Sequence, residues 1–308
     1  MILGLTDTLI ELWLLNCLLA YSAYVVLNGG AFSFAYVAFI AIGAYTVAIV
    51  TVKEGGSTLE AIVIAPIICG LIALVLARPL ERLSGVYLAI VSISFVGLVQ
   101  VLLVNLEDLT GGALGIAGVP LIVEMWWLAL AVVVVALVLR QIERSNLGRA
   151  IRMTRVDPLV AGAMGVNVRR VRLWLFVASA ALGGVAGVIR ANYFGFVTPS
   201  DYGFNLVVLL LAIVIIGGVG SWVGPLIGAF IFTMLPEWLR SFGDWRDVVT
   251  GALLLLIIIV SREGVAGTIR LQWHRHKHRV RGGDKGAGAD SPPVEDEAEG
   301  ALVAGPKL

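Results

Sequence analysis

The chain alternates long apolar runs with short polar segments from its first residues to about residue 261. Most of these runs are close to 20 residues long, which is the length that crosses about 30 Å of hydrocarbon as an α-helix. The pattern therefore predicts an all-α polytopic membrane protein with roughly eight or nine transmembrane helices. The predicted spans are 9–27, 31–52, 59–77, 84–104, 123–139, 171–190, 204–217, 222–239 and 247–261.

Composition supports the bilayer as the solvent of this chain. Hydrophobic residues make up 59% of the chain and charged residues 14%, whereas soluble domains carry about 25% charged residues. The mean hydropathy is +0.96. The two cysteines, Cys17 and Cys69, lie inside apolar runs, so no disulfide, metal or cofactor site is predicted. The N-terminus lacks a basic segment and a cleavage site, so no removable signal peptide is expected.

The distribution of Lys and Arg predicts the orientation. With the N-terminus outside and the C-terminus in the cytoplasm, 18 of the 22 basic residues fall on the cytoplasmic side, as the positive-inside rule requires. Eight of them are arginines between Arg140 and Arg172. Four fall outside, namely Lys53, Arg190, Arg240 and Arg246.

Residues 264–308 differ in composition from the transmembrane domain predicted for residues 1–263. A basic stretch is followed by an acidic one, with Pro and Gly between charges, which predicts a disordered cytoplasmic tail. The three histidines, His274, His276 and His278, lie in the basic stretch. They fit either a segment attracted to anionic lipid or a metal-binding tract.

The cytoplasmic loop at about 141–170 contains a short helix signal between its arginines. Asp157 is placed to cap a helix that begins at Pro158, and Gly165 is placed to end it. Leu159 with Ala163 and Val160 with Met164 form pairs four residues apart on one apolar stripe. Two helical turns are too short to be stable alone. The loop is therefore either a helix that docks on a partner or a plain positive-inside loop that fixes topology.

Glycines recur every four residues in two places, a spacing that lets helices approach closely within lipid. They serve either static packing or surfaces that slide during transport. The glycines are Gly183, Gly187, Gly220, Gly224 and Gly228.

Few polar side chains lie within the predicted spans. Asn28, Gln100 and Asn105 are the candidates for a substrate pathway, with interhelical hydrogen bonds as the alternative role. The scarcity of intramembrane ionisable groups disfavours an ion-coupled secondary transporter. A phosphate-binding G-x-x-x-x-G-K-[ST] loop is absent, so the chain is not expected to be an enzyme that hydrolyses ATP. No nucleic-acid partner is expected.

Four segments resemble the permease subunits of ABC importers for branched-chain amino acids, the LivM type, in the same order along the chain. They are "VLNGGAFSFAYVAFIAIGAYTVA" (26–48), "RLSGVYLAIVSISF" (82–95), "NLEDLTGGALGI" (105–116) and "FVTPSDYGFNLVVLLLAIVIIGGVGSWVGPLIGAF" (196–230). With the loop at 145–172, the resemblance covers most of residues 20–262.

This resemblance implies an ABC importer permease fold in the bacterial inner membrane. The expected partners are a second related permease chain, two ATPase subunits, an extracytoplasmic solute-binding protein and membrane lipid. Leucine, isoleucine and valine are the expected substrates, with urea or short amides as the alternative. In that family the loop helix is the coupling helix, which seats on the ATPase. The role falls on Asp157, Pro158, Leu159, Ala161, Met164 and Gly165.

Overall fold

The structure is a computed structural model that describes residues 2–80, 83, 85–239 and 251. Apart from Gly251, the predicted span at 247–261 lies outside the described residues. The predicted tail at 264–308, with its three histidines, also lies outside them, as do Arg82, Arg240 and Arg246.

The described part of the chain is built from helices and one short two-stranded ribbon. The first half contains α1 (Ile2–Asn28), α2 (Tyr36–Ala48), α3 (Thr58–Leu80), α4 (Val86–Asn105), α5 (Glu107–Thr110), β1 (Ile116–Ala117) and α6 (Met125–Arg144). The second half contains α7 (Asn146–Val156), α8 (Pro158–Ala163), α9 (Val168–Phe194), β2 (Phe196–Val197), α10 (Phe204–Gly217) and α11 (Gly224–Trp238). A π-helical turn at Ile49–Lys53 extends α2, and 3₁₀ turns lie at Gly112–Leu114 and Pro199–Tyr202.

The all-α polytopic prediction is confirmed. Six of the described helices, namely α1, α2 with its π turn, α3, α4, α6 and α9, are long and apolar enough to cross a membrane. The second predicted span begins later than expected, because the chain turns at Gly29 and Gly30 and α2 starts only at Tyr36. α10 and α11 are shorter, with 14 and 15 residues.

Helices α1, α2 and α9 form the centre of the bundle. α9 contacts α1, α2 and α3, and α1 also contacts α6, α10 and α11. α2 is buried on nearly all sides. In contrast, α3, α4 and α6 expose most of their surface, including apolar side chains such as Val63, Leu71 and Val75. Since an exposed apolar surface of this kind is compatible with lipid, these three helices form the shell of the bundle.

Helix α3 meets α9 through a stripe of small side chains that recurs every four residues. The buried members are Ala61, Ala65, Cys69, Ala73 and Ala77. A Cβ on Gly184 of α9 would lie 2.9 Å from the Cys69 Sγ and 3.1 Å from the Ala65 carbonyl oxygen. The two backbones approach closely because both helices present small residues at the contact.

The bundle has two distinct ends. β1 and β2 pair antiparallel, with Ile116 opposite Val197, and this ribbon marks what we call the ribbon end. The end that carries α7 and α8 is called the arginine-rich end. α9 runs 27 residues from α8 to β2, which is about 40 Å at 1.5 Å per residue. The two ends are therefore separated by the thickness of the bundle.

Candidate functional site

The loop at the arginine-rich end folds into two consecutive helices. Ser145 caps α7, because its Oγ accepts a hydrogen bond from the Gly148 backbone N–H. α7 follows α6 closely, and a Cβ on Gly148 would overlap the Ile142 carbonyl oxygen. The sequence pattern predicted the second helix but not the first.

Asp157 separates the two helices and caps the second. Its Oδ1 accepts hydrogen bonds from the backbone N–H groups of Leu159 at 2.8 Å and Val160 at 3.2 Å. Pro158 is the first residue of α8. An N–H group at this position has no partner within the helix, so proline, which lacks the N–H, loses no helical hydrogen bond there. A buried or docked helix end needs such partners for its first N–H groups.

Gly165 lies just beyond the C-terminal end of α8. Its φ of +82° is left-handed, a conformation that glycine adopts without the cost of a side chain. The Val166 N–H then donates to the Ala161 carbonyl oxygen at 3.0 Å, which closes the helix end. α8 is thus fixed at both ends by local hydrogen bonds.

The exposed face of α8 is apolar. Leu159 is 86% exposed and Met164 is 69% exposed, and Val160 between them is also exposed. Val156 at the end of α7, two residues before Pro158, is also exposed. We call Val156, Leu159, Val160 and Met164 the α8 patch.

Ala161 departs from its expected place among the docking residues. It is fully buried at 0% exposure, and α8 contacts α7 and α9. Its small side chain therefore faces the protein, and its role is to let α8 lie against the bundle. Sequence spacing placed Ala161 on α8 but gave no information about which side faces inward.

Arg155 ties this loop to two other segments at the same end. Its Nη1 donates to the Asn28 Oδ1 at the end of α1, at 2.9 Å, and to the Val219 carbonyl oxygen between α10 and α11, also at 2.9 Å. The backbone of Arg155 also lies close to Gly30, where a Cβ would be 3.1 Å from the Arg155 Cα. The sequence identifies Arg155 only as a positive charge, because its partners lie 127 and 64 residues away.

Glu143 forms a second link at the arginine-rich end. The buried Tyr24 hydroxyl of α1 donates to its Oε1 at 2.6 Å. The guanidinium of Arg152 donates to its backbone carbonyl at 2.9 Å. The end of α6 is thereby joined to both α1 and α7.

The three candidate pathway residues do not lie together. Asn28 is buried at the arginine-rich end beside Arg155. Gln100 donates from Nε2 to the Pro199 carbonyl oxygen at 2.9 Å, next to the ribbon end. Asn105 is exposed and donates to the Val101 carbonyl oxygen one turn earlier. Each therefore makes a hydrogen bond within the chain.

Four of the five candidate packing glycines lie at close helix contacts. A Cβ on Gly187 would overlap the Ile40 carbonyl oxygen of α2, and one on Gly183 would lie 3.3 Å from the Tyr36 carbonyl oxygen. Gly224 and Gly228 of α11 face the end of α10 in the same way, against Gly218 and Ile213.

The fifth candidate glycine, Gly220, lies in the loop between α10 and α11 rather than in a helix. A Cβ there would lie 3.7 Å from the Arg155 Nη2, which is an ordinary van der Waals contact. Gly220 therefore does not bring two helices together, and the four-residue spacing was misleading at this position.

The ribbon end is held by a separate set of contacts. Arg190 lies over the rings of Phe194 and Tyr202, 5.4 and 5.3 Å from the ring centroids. Burial raises the pKa of Tyr202 to about 12, so its phenol is neutral at physiological pH. Gln100 adds the hydrogen bond to Pro199 described above. These contacts join α4, α9 and the turn before α10.

A bundle of long apolar helices with a capped, partly apolar helix in its basic loop is the architecture of a polytopic transport permease. Comparison with known families gives the same class. The family described as "Branched-chain amino acid transport system / permease component" matches residues 6–258. The chain belongs to this family.

Individual relatives agree with this assignment. The chain is 30% identical over 292 residues to the high-affinity branched-chain amino acid transport system permease protein LivM of Escherichia coli, covering 84% of this chain and 67% of LivM. The LivM protein of Salmonella typhimurium is 28% identical over 302 residues, covering 87% and 69%. The permease protein LivH of Escherichia coli is 33% identical over 128 residues, 41% of each chain. No solved structure matches the chain.

Proposed function

We propose that this chain is the membrane-spanning permease subunit of an ABC importer for leucine, isoleucine and valine. It forms the translocation path together with a second, related permease chain. Two separate ATPase subunits drive transport through α8, and an extracytoplasmic solute-binding protein delivers the substrate at the ribbon end. The assembly lies in the bacterial inner membrane, with the N-terminus outside and the C-terminus in the cytoplasm.

The observation that carries this proposal is the α8 patch. A two-turn helix is marginal in water, yet α8 is capped at both ends and exposes leucine, valine and methionine side chains. Contiguous exposed apolar residues on a small element indicate a surface for another protein. α8 lies in the arginine-rich loop, where the ATPase subunits of an importer would meet the permease.

The charge distribution supports the proposed orientation. Arg149, Arg152 and Arg155 lie on α7, and Arg169 and Arg170 lie at the start of α9. Basic residues concentrate on the cytoplasmic side of membrane proteins. With the arginine-rich end in the cytoplasm, the ribbon end faces outward.

A largely apolar cavity in this chain supports the proposal that a second permease chain takes part in forming the path. A cavity of about 640 Å³ opens between α1, α6, α7 and α9. Its lining is mostly apolar, with residues such as Val134, Val138 and Trp174. The polar members of the lining are Tyr24, Asn28, Glu143 and Arg152. The apolar surface that dominates this lining does not replace the hydration that a zwitterionic amino acid loses, so we place the path between two chains.

The names of the relatives favour amino acids over the urea or short-amide alternative. LivM, LivH and the BraD protein of Pseudomonas aeruginosa are all described as branched-chain amino acid permeases. One more distant relative, the LsrC protein of an Enterobacter species, belongs to an autoinducer 2 import system and is 28% identical over 130 residues. The substrate assignment therefore rests on the relatives that match most of the chain.

Uptake of labelled leucine and labelled urea tests the proposal. Cells that carry the gene should accumulate leucine, and deletion should abolish that part of the uptake without changing urea uptake. Depletion of ATP should abolish leucine uptake in vesicles that retain an ion gradient. Leucine uptake that persists without ATP and follows the ion gradient would instead establish a secondary transporter.

A further inference from the structure

A small cavity lies at the arginine-rich end, and none of the α8 patch residues lines it. It has a volume of about 100 Å³ and lies between the turn that links α1 to α2, the adjoining ends of α3 and α4, and the start of α9. Ser33, Arg169 and Arg172 supply polar groups to its lining. A space of this size holds a phosphate or carboxylate group but not a whole amino acid with its hydration shell.

Ser33 contributes a buried hydroxyl without a partner. The residue is 1% exposed, and its Oγ makes no hydrogen bond within the described part of the chain. The Nε of Arg172 is likewise buried without a partner among the described residues. Buried polar groups are nearly always hydrogen-bonded, so two such groups on one cavity indicate a ligand that accepts hydrogen bonds.

Among the described residues that line the cavity, the charged side chains are both arginines. Arg169 and Arg172 lie three residues apart and therefore on one face of α9. Neither forms an ion pair with an acidic side chain of the described residues. The positive end of the α9 dipole lies at the same place, because α9 begins at Val168. Two cations at the positive end of a helix favour an anion between them.

The remaining lining is apolar. Val26 and Phe176 are buried, Leu88 and Leu173 are partly exposed, and Phe32 is 56% exposed. A free phosphate ion gains nothing from these side chains. A phospholipid places its phosphate in the cavity and its acyl chain outside, along exposed apolar side chains such as Phe32, so both kinds of side chain are used.

We propose that this cavity binds the phosphate of an anionic phospholipid through Arg169, Arg172 and Ser33. The site is separate from substrate transport and from the α8 patch. Phosphatidylglycerol is the suitable probe, because it carries the phosphate charge without a compensating cation. Phosphatidylcholine has the same phosphate and acyl chains but adds a cation that the two arginines repel.

Native mass spectrometry of the purified full-length chain, with any subunits that copurify, tests this proposal. The wild-type chain should retain one phosphatidylglycerol at least tenfold more tightly than phosphatidylcholine. The double variant Arg169→Ala/Arg172→Ala should lose this preference, and Ser33→Ala should weaken it several-fold. The double variant Arg149→Ala/Arg170→Ala removes the same charge from residues that do not line the cavity, so it should behave as the wild type.

Competition between the bound lipid and small anions on the wild-type protein identifies the ligand, and this experiment does not depend on whether a variant folds. Millimolar inorganic phosphate should leave the lipid in place, whereas displacement by phosphate would show that the site takes the free ion and would overturn the proposal. Displacement by leucine would make the cavity a substrate site and would also overturn it. Equal retention of both lipids by the wild-type chain overturns it irrespective of the variants.

Discussion

Arg155 joins three parts of the chain that are far apart in sequence. Its partners are Asn28, which lies 127 residues away, and Val219, which lies 64 residues away. Hydrogen bonds from a charged donor contribute about 1.5–3 kcal/mol each. We therefore expect a movement of α7 and α8 to be passed to the end of α1 and to the loop between α10 and α11.

Arg155→Ala should reduce transport more than it reduces docking. We expect leucine uptake to fall at least about tenfold, because losing even one of these hydrogen bonds, at about 1.5 kcal/mol, corresponds to a tenfold change in an equilibrium constant. The ATPase subunits should still copurify, since the α8 patch is unchanged. Uptake per ATP hydrolysed in proteoliposomes measures the effect.

The control for this prediction is Arg149→Ala on the same helix. Arg149 is exposed and bonds to Asn146 three residues away, so its loss should leave uptake within about twofold of the wild type. Equal uptake by the two variants would show that Arg155 is not needed to transmit movement.

The sequence predicts the contacts of some residues at the arginine-rich end but not of others. The cap by Asp157 is local, since its partners lie two and three residues further on, and the spacing of Asp, Pro and Gly is enough to predict it. The burial of Ala161 and the partners of Arg155 depend on how distant helices pack. No local pattern contains that information, so the sequence predicts neither that Ala161 faces the bundle nor that Arg155 bonds to Asn28 and Val219.

At the level of helices, close packing depends on glycine backbones. α9 approaches α2 because Gly183 and Gly187 leave room for the α2 backbone, and Gly43 of α2 faces Gly184 of α9 in return. In lipid, such contacts gain their stability from van der Waals packing rather than from the hydrophobic effect. A side chain at this contact must push the two helices apart.

Gly187→Ala should destabilise the protein. The new Cβ overlaps the Ile40 carbonyl oxygen, and overpacking of this kind costs about 1–3 kcal/mol. We expect the Tm of the purified chain in detergent to fall by about 5 °C. Thermal unfolding followed by size-exclusion chromatography measures it.

Gly97→Ala is the matched control, because Gly97 also lies within a helix but has open space where its Cβ would be. Alanine is a better helix former than glycine by about 0.8–1 kcal/mol, so this variant should keep or slightly raise the Tm. An unchanged Tm in Gly187→Ala would show that α2 and α9 can separate at that contact without cost.

The sequence predicts most of the helices, because a run of about 20 apolar residues is a local property. It misses the late start of α2 and the whole of α7, whereas the turn between α10 and α11 agrees with the gap between the spans predicted at 204–217 and 222–239. Gly29 and Gly30 delay the start of α2, and α7 is a basic helix that carries no apolar run. Gly220 follows a helical spacing but lies in a loop, because the chain must turn between α10 and α11.

For the molecule as a whole, the proposed orientation places the arginine-rich end and the ribbon end on opposite sides of the membrane. Cysteine labelling in intact cells tests this, and Cys17 and Cys69 give little background because both are fully buried. Ser145→Cys at the arginine-rich end should react with membrane-permeant reagents alone. Leu114→Cys at the ribbon end should react with an impermeant reagent. The reverse pattern would invert the proposed orientation.

Retention of the ATPase subunits by Leu159→Asp tests the central claim most directly. Leu159 is 86% exposed in the α8 patch, and Leu114 is 90% exposed at the ribbon end, so Leu114→Asp is a matched control. Burying a leucine contributes about 1.5–3 kcal/mol, so Leu159→Asp should weaken ATPase binding about tenfold or more, with leucine uptake falling in parallel. Leu114→Asp should retain the ATPases. If Leu159→Asp copurifies with the ATPase subunits as the wild type does and keeps its substrate-stimulated ATP hydrolysis, the proposal that α8 docks on the ATPase is wrong.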